Sequence, residues 1–225
     1  MPPVVRPKVR AVGDTGLMFE FGDRIDPDTH ARVLAFDAAL AAAPPPGVRE
    51  LVPAYASLLI HYDPLVTDAE TLAAAALPLA ERAGALAVQP AEHIIPFCAD
   101  PDLAPDLADA AERLGLGQAA LLEAFAGASY RVYMYGFAPG YAYLDGVPPA
   151  LHLPRKPVPV RSRPVGSVMI AGGQAIITTL PMPTGWWVIG QTRVPVRRPD
   201  DPRPFLFDLG DTVRFVPISR AEFDA

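Results

Sequence analysis

The chain has 225 residues, 51% of them hydrophobic, with 19 Lys and Arg against 25 Asp and Glu and a net charge of -6 at pH 7. This composition is typical of a soluble globular protein with a substantial core, and the absence of an 18-residue apolar run argues against a membrane span. The acidic balance, without a nucleic-acid motif, argues against nucleic-acid binding. The sequence has a single cysteine, Cys98, and shows no secretory signal, so we expect a cytoplasmic protein without an internal disulfide.

Positive charge is concentrated in one stretch of the chain. Residues 155–203 hold eight Lys or Arg but only two acids, Asp200 and Asp201. A local excess of this kind attracts an anionic ligand or an acidic partner surface, and it is equally typical of a solvated basic face. The sequence leaves both interpretations open.

Residues 1–88 are predicted to form one α/β domain, which begins with a hairpin and a helix. Residues 8–12 and 17–21 have the alternation of strands and flank a Gly-Asp-Thr-Gly loop. Asp26 and Pro27 then supply an N-cap and a proline at the first helical position. We expect this helix to continue until the Pro-Pro-Pro-Gly run that follows it.

A second strand pair and a second helix follow in the same domain. Residues 48–52 and 57–62 alternate again, Thr67 and Glu70 have the spacing of a capping box, and Gly84 is placed to end the helix. The order strand, strand, helix, strand, strand, helix predicts an antiparallel sheet with two helices on one face.

Residues 89–225 are predicted to form a second domain of a different kind. A strand at 93–97 is followed by two short helices at 106–114 and 117–125, which form an insertion or a bridge near the start of the domain. From residue 130 onward short β-prone runs are broken by Gly and Pro, and the 28 prolines of the chain imply many turns. This pattern predicts a β-barrel-like domain, so the fold class of the whole chain is α+β.

No familiar catalytic framework is present in the sequence. It has no GxxxxGK[ST] phosphate loop and no GxGxxG, GxSxG or HExxH motif. The four histidines stand far apart, so the sequence predicts no metal site. Cys98 would need an activating base or cation to act as a nucleophile, and a small packed side chain is the favoured interpretation.

The segment from residue 136 to 144 has the most specific local pattern. Aromatic residues are interleaved with glycines and a proline, which predicts a rigid loop with an aromatic lining. Because such a loop brings backbone amides and flat apolar surfaces to a ligand, we predict that Phe137, Pro139, Gly140 and Tyr141 bind a substrate. The alternative is a turn packed into the core of the barrel.

Four segments make a family resemblance specific. They are GFAPG at 136–140, PRK at 154–156, GSVMIAGGQ at 166–174 and PTGWWVIGQT at 183–192. They resemble the GFxPG, PR, GSVxIAGxQ, PxGW and IGxT blocks of the family of B-type 5-oxoprolinase subunits. Shorter matches in the first 64 residues extend the resemblance over nearly the whole chain. Relatives in this family include allophanate hydrolase subunit 1, half of the carboxyltransferase domain of urea carboxylase, and the Kip-type inhibitor of a sporulation histidine kinase.

The resemblance implies a fold and an activity. The family combines a small N-terminal α/β domain with a C-terminal cyclophilin-like β-barrel. Its 5-oxoprolinase members act with a larger C-type subunit, which is similar to allophanate hydrolase subunit 2, and with a lactam-utilisation subunit to hydrolyse 5-oxoproline to glutamate using ATP. The resemblance thus implies a subunit of an ATP-dependent amide hydrolase. Alternatives are an allophanate hydrolase or urea-carboxylase-like subunit, or a non-catalytic kinase inhibitor.

The matched blocks also imply roles for individual residues. Arg155 is expected to bind a carboxylate or phosphoryl oxygen through its planar guanidinium, and Gln174 to hydrogen-bond an amide or ureido group. Substrate contacts are implied for Gly172, Gly173, Gly185, Trp186 and Thr192. The amides of the paired glycines are expected to stabilise negative charge, and Trp186 to form a wall rather than a reactive group.

Several positions depart from the family pattern. Ala99 begins a stretch that replaces a Tyr-Gly-Gly run, Phe125 replaces a histidine, and Val160 replaces a second arginine; Ala175 and Ile176 replace a Thr-Gly pair. The loss of polar groups from an intact glycine and tryptophan framework suggests a retained fold with an altered substrate or a lost activity.

A partner surface is also implied by the resemblance. Stable interfaces place aromatic residues and arginines near their centre. Residues 137–143 and 193–198 are rich in these types and are the predicted contact surface. We do not expect the isolated chain to catalyse the reaction.

Overall fold

The fold is that of a computed structural model, which describes residues 6–83 and 90–225. The chain divides into two compact units, one within residues 1–89 and one spanning 90–225. The domain boundary expected after residue 88, and Gly84 as the end of the second helix, fall outside the described residues. Within the parts of the chain that are described, no helix is long and apolar enough to cross a membrane.

The first unit is a four-stranded antiparallel sheet in the order β1-β2-β4-β3, with two helices. Its elements are β1 (Lys8–Val12), β2 (Gly16–Glu20), α1 (Pro27–Ala42), β3 (Val48–Pro53), β4 (Ser57–Tyr62) and α2 (Ala69–Arg82). Phe19 and Ile60 from the sheet pack with Phe36 of α1 and Leu72 of α2 in one core. The predicted order of elements is confirmed.

Aspartates begin both helices of this unit. The Asp26 carboxylate accepts a hydrogen bond from the Thr29 amide at 2.7 Å, as its position predicts. The second helix is capped by Asp68, which accepts from a first-turn amide at 2.7 Å. The capping box predicted for Thr67 and Glu70 is therefore wrong by one residue, because a carboxylate one position later binds the free amides and favours the positive end of the helix dipole.

The second unit is mostly β-structure around a seven-stranded sheet in the order β12-β9-β10-β7-β6-β13-β5. Its elements are β5 (Glu92–Phe97), α3 (Leu107–Leu114), α4 (Gln118–Ala126), β6 (Tyr130–Tyr135), β7 (Ala142–Asp145), β8 (Val160–Arg163), β9 (Ser167–Ala171), β10 (Gln174–Ile177), β11 (Met182–Thr184), β12 (Trp187–Gln191), β13 (Thr212–Pro217) and α5 (Arg220–Asp224). A short 3-10 helix covers Pro149–Leu151, and β8 pairs with β11 in a separate ribbon.

The two edge strands of the large sheet meet and nearly close it into a barrel. Just beyond β5, the Cys98 amide donates to the carbonyl of Gln191 in β12 at 2.8 Å, and the Gln191 amide donates to the Cys98 carbonyl at 2.9 Å. The sheet thus returns to its first strand. The predicted α+β fold, a small α/β domain followed by a cyclophilin-like β-barrel, is confirmed.

The helices between β5 and β6 pack into the barrel core. Phe125 of α4 is fully buried, with ring centroids 4.8 Å from Phe215, 5.1 Å from Tyr130 and 5.7 Å from Phe97. The Tyr130 hydroxyl donates to the Phe125 carbonyl at 2.7 Å. The predicted helical insertion therefore contributes to the core of this unit, and the phenylalanine that departs from the family pattern serves packing.

The closure of the barrel depends on a position without a side chain. A Cβ atom at Gly190 would lie 2.5 Å from the Phe97 ring and 2.9 Å from the Cys98 carbonyl oxygen. Both distances are shorter than van der Waals contact. Any larger residue must push β12 away from the end of β5.

We predict that Gly190→Ser lowers the free energy of unfolding by about 1–3 kcal/mol or more, because overpacking at this contact separates the closing strands. Gly117→Ser is the matched control, since a Cβ at Gly117 has no atom within 4 Å and serine is a good N-cap for α4. Denaturant titration of the two variants measures the difference. Equal midpoints would contradict this account of barrel closure.

Candidate functional site

One face of the barrel sheet points away from the core and forms a small second cluster. On β9, Val168 and Ile170 face the core, whereas Met169 and Ala171 face outward, as strand alternation requires. The other buried members of this outer cluster are Tyr141, Ile176, Trp186 and Val188. β9 is therefore buried on both faces.

Two consecutive tryptophans serve the two faces. Trp187 lies in the barrel core and donates from its indole nitrogen to the Pro154 carbonyl at 2.8 Å. Trp186 belongs to the outer cluster, where only 5% of its surface is exposed. Beside Trp186 is a cavity of about 100 Å³, and the residues that line it are Phe137, Tyr141, Tyr143, Arg155, Pro183, Thr184, Gly185 and Trp186.

The cavity wall is a series of aromatic rings. The ring centroids of Phe137 and Tyr141 are 5.6 Å apart, those of Tyr141 and Tyr143 are 6.0 Å apart, and those of Tyr143 and Trp186 are 6.2 Å apart. Burial raises the pKa of Tyr141 to about 12, against the opposing effect of the Arg155 charge. The Tyr141 hydroxyl therefore remains protonated at neutral pH and can donate a hydrogen bond to a ligand.

Arg155 lies at the rim of this cavity because its neighbours are anchored on both sides. The Pro154 carbonyl accepts the Trp187 indole hydrogen bond, and the Lys156 amide donates to the Gly185 carbonyl at 2.7 Å. The guanidinium carbon of Arg155 lies 5.5 Å from the centroid of the Trp186 ring. This arrangement places a cation beside an aromatic wall, as expected for a site that binds a small anion.

An ion cluster beneath the rim was not predicted from the sequence. The Asp106 carboxylate lies 2.5 Å from the Lys156 amine and 3.5 Å from the Arg163 guanidinium, and it accepts from the Val188 amide at 2.8 Å. These three charged side chains are mostly shielded from solvent. Asp106 stood out in the sequence only as a helix start, and the excess of positive charge after residue 155 was the one signal of its partners.

Phe137 occupies the outer rim in an unusual conformation. It has a φ of 69°, in the left-handed region, and 76% of its surface is exposed. This conformation is uncommon for a bulky residue and costs free energy, so the surrounding loop must hold it. The predicted aromatic loop is present, and its first ring faces solvent.

Two other predicted loop residues shape the backbone outside the cavity lining. The Pro139 carbonyl accepts a hydrogen bond from the Thr179 hydroxyl at 2.8 Å. Gly140 has a φ of 73°, and a Cβ there would lie 3.0 Å from the Phe205 ring. Glycine is therefore required at this turn, where it allows the loop to pack closely.

The predicted site residues of the β9–β10 hairpin lie further along the same outer face. Gln174 begins β10, two residues before Ile176 of the outer cluster. Gly172 and Gly173 form the turn, and the Gly172 amide donates to the Leu153 carbonyl at 2.7 Å. That amide is engaged within the chain, so the predicted stabilisation of negative charge by the glycine pair loses one of its two donors.

Thr192 lies in a separate and larger cleft of about 720 Å³. Three arginines line this cleft, namely Arg193, Arg197 and Arg220. Arg193 lies 3.2 Å from the Asp224 carboxylate, which also pairs with Arg220. The predicted substrate contacts are thus divided between two concavities, and residues 193–198 border the larger one.

Two other polar groups have structural surroundings. Buried Asp211 accepts hydrogen bonds from the amides of Ala91 and Asp208, at 3.0 and 2.8 Å, and lies 2.8 Å from the His93 ring nitrogen. The sequence indicated no partner for His93, because the two residues are distant along the chain. Cys98 is buried at the barrel closure, and burial raises the pKa of its thiol, which favours a packed rather than a nucleophilic role.

The fold and the site define a class, and the chain belongs to the carboxyltransferase domain family, subdomains C and D, which it matches over residues 7–207. It is 33% identical over 232 residues to the Bacillus subtilis protein named as the B-type subunit of 5-oxoprolinase, covering 98% of this chain and 97% of that protein. The predicted family membership is confirmed.

Solved structures share the fold. TTHA0988 is 37% identical with a TM-score of 0.81, covering 94% of this chain and 40% of that chain. The urea amidolyase of Kluyveromyces lactis is 16% identical with a TM-score of 0.78, covering 100% of this chain and 16% of that chain. The chain therefore corresponds to a minor part of these two longer polypeptides.

We predict that Arg155→Ala weakens binding of pyroglutamate by about tenfold, because a charge-assisted hydrogen bond at a solvent-open rim is lost. Arg161→Ala is the matched control, since Arg161 is an exposed arginine in the same basic stretch and does not line the cavity. Calorimetric titration of both variants measures the effect. Equal affinity of Arg155→Ala and the native chain would refute the assignment of Arg155.

We predict that Trp186→Ala lowers the free energy of unfolding by about 3 kcal/mol, because a large buried ring is lost from the outer cluster. Trp186→Phe should retain most of that stability, since a ring still fills the site. Thermal melting of both variants is the measurement. Native stability combined with abolished ligand binding would instead assign Trp186 to an open cavity wall.

Proposed function

We propose that the chain is the small subunit of an ATP-dependent amide hydrolase of the 5-oxoprolinase type, which converts 5-oxoproline to glutamate together with a larger subunit. The observation that carries this proposal is the cavity of about 100 Å³ with aromatic walls and Arg155 at its rim. The name of the Bacillus subtilis relative, which aligns over nearly its full length, supports the same activity.

The dimensions and chemistry of the cavity suit this substrate. 5-oxoproline is a five-membered lactam with one carboxylate, so its ring matches the apolar surfaces of Tyr141 and Trp186. The carboxylate is the group that Arg155 recognises at the rim. The Tyr141 hydroxyl supplies a donor for a substrate oxygen. In this proposal the chain binds and orients the lactam.

ATP would bind outside this cavity. Sites for nucleotide-sized ligands have volumes of roughly 300–1,000 Å³, well above the volume of the cavity beside Trp186. The cleft that contains Thr192 has sufficient volume and three arginines, although two of them already pair with Asp224. ATP would supply activation of the lactam carbonyl, and we propose that the complex, rather than this chain alone, holds it.

A larger partner is part of the proposal. The relative is named as one of several lettered subunits, and the TTHA0988 chain is longer than this one, which supports a composite enzyme. We propose a partner similar to the larger C-type subunit of 5-oxoprolinase or to allophanate hydrolase subunit 2, with a lactam-utilisation subunit as a further component. Exposed Phe137 offers it an apolar contact. The complex would act in the cytoplasm, where Cys98 remains a thiol.

We predict that the purified chain alone releases no glutamate from 5-oxoproline and ATP, and that activity appears when it is co-expressed with the larger subunit. A coupled ATPase and glutamate-release assay, with size-exclusion chromatography, measures both states. Arg155→Ala should leave assembly intact and reduce kcat/KM. Phe137→Ser should instead weaken co-elution.

Three outcomes would redirect the assignment. Robust turnover by the isolated chain would overturn the subunit role. Activity of the complex on allophanate or urea, without 5-oxoproline turnover, would indicate the related hydrolase or carboxylase. Co-purification with a histidine kinase and no hydrolysis would indicate the inhibitor.

A further inference from the structure

A row of polar residues crosses the outer face of the barrel sheet beside the aromatic cluster. Arg131 of β6 pairs across the strands with Asp145 of β7, and Asp145 pairs with Gln174 of β10. The adjacent residues on these strands face the core, namely Val132, Leu144 and Ala175. Because successive strand residues point to opposite faces, the three polar side chains lie together on the outer face. We call Arg131, Asp145 and Gln174 the polar row.

His152 joins the polar row from the segment after the 3-10 helix. A Cβ atom at Gly173 would lie 3.3 Å from the His152 ring and 3.8 Å from an Asp145 carboxylate oxygen. The imidazole and the carboxylate therefore approach the same backbone position. The His152 Nε2 atom donates to the Val147 carbonyl at 2.9 Å, which leaves Nδ1 as the remaining polar atom of the ring.

The polar row contains groups whose hydrogen bonding is incomplete. The Nε atom of Arg131 is shielded from solvent and has no hydrogen-bond partner among residues 6–83 and 90–225. Burial raises the pKa of Asp145, and the charge of His152 opposes this shift. A shielded donor and a poorly solvated carboxylate on neighbouring strands are costly unless a third group satisfies them.

The chemistry of these groups defines that third group. An arginine only donates hydrogen bonds, an ionised carboxylate only accepts them, and a glutamine side chain does both. An amide or ureido group presents a carbonyl acceptor and an N–H donor on adjacent atoms. It can therefore satisfy Arg131 and Asp145 at the same time.

The position of the polar row suits a small ring held by the cavity. Asp145 follows Tyr143, which lines the cavity, by two residues on β7, and Gln174 precedes Ile176 of the outer cluster by two residues on β10. Two strand residues span about 7 Å, which is close to the width of a small lactam. A ring against the aromatic wall would extend its amide edge toward the polar row.

We propose that the polar row, with His152, is an amide-binding subsite that receives the C=O and N–H edge of a lactam or ureido ligand. The proposal deepens the proposed function and rests on it for the identity of the natural ligand. Within the subsite, Arg131 donates to the carbonyl oxygen and Asp145 accepts from the N–H. Gly173 keeps open the space between His152 and Asp145.

We predict that 2-pyrrolidinone binds the full-length chain at least about tenfold more tightly than N-methyl-2-pyrrolidinone, which has no N–H to donate. Titration followed by NMR measures both affinities, with the Gln174 side-chain amide as the reporter. Asp145→Ala should abolish the discrimination between the two lactams, and Arg131→Gln should weaken both. Asp109→Asn is the control, because Asp109 is an exposed carboxylate in α3 that pairs with Arg113.

The outcomes separate this subsite from the proposed function. Equal affinity of the native chain for the two lactams, no binding at saturating lactam, or an equal loss of both in Asp145→Ala would overturn the subsite. Native kcat/KM in a complex that carries Asp145→Ala would overturn it while the hydrolase assignment stands. Discrimination between the lactams in a complex without 5-oxoproline turnover would support the subsite and reject the hydrolase assignment.

Discussion

Two backbone hydrogen bonds between Cys98 and Gln191 hold the ends of the barrel sheet together, and the site depends on them. Closing a sheet satisfies edge groups that otherwise remain unpaired. Closure requires the close approach at Gly190, and it fixes β12 so that one indole enters the core and the next faces outward. The cavity wall therefore has its position because the barrel closes.

Local patterns in the sequence predicted the order of strands and helices, because alternation, caps and proline runs act over a few residues. They did not reveal contacts between distant residues, such as the closure between Cys98 and Gln191 or the pair of His93 and Asp211. The helix start at Asp68 was missed because two adjacent residues are both good caps.

The candidate site was predicted in part. Its aromatic loop, Arg155 and the Gly185-Trp186 pair meet at one cavity, because glycine, proline and aromatic residues in short segments are a local signal. Thr192 lies elsewhere, since membership of a shared sequence block does not determine which concavity a side chain enters. The basic stretch also divides in space, as Lys156 pairs with buried Asp106 and Arg193 pairs with Asp224.

The adjacent tryptophans have a consequence for how this protein can evolve. Trp187 belongs to the core and Trp186 to the cavity, so neighbouring codons contribute to stability and to ligand choice separately. A substitution at the outward position can reshape the cavity without changing the barrel interior. An inserted or deleted residue in β12 would exchange the two faces at once. Diversification at this strand is therefore expected to proceed by replacement of side chains rather than by changes in chain length.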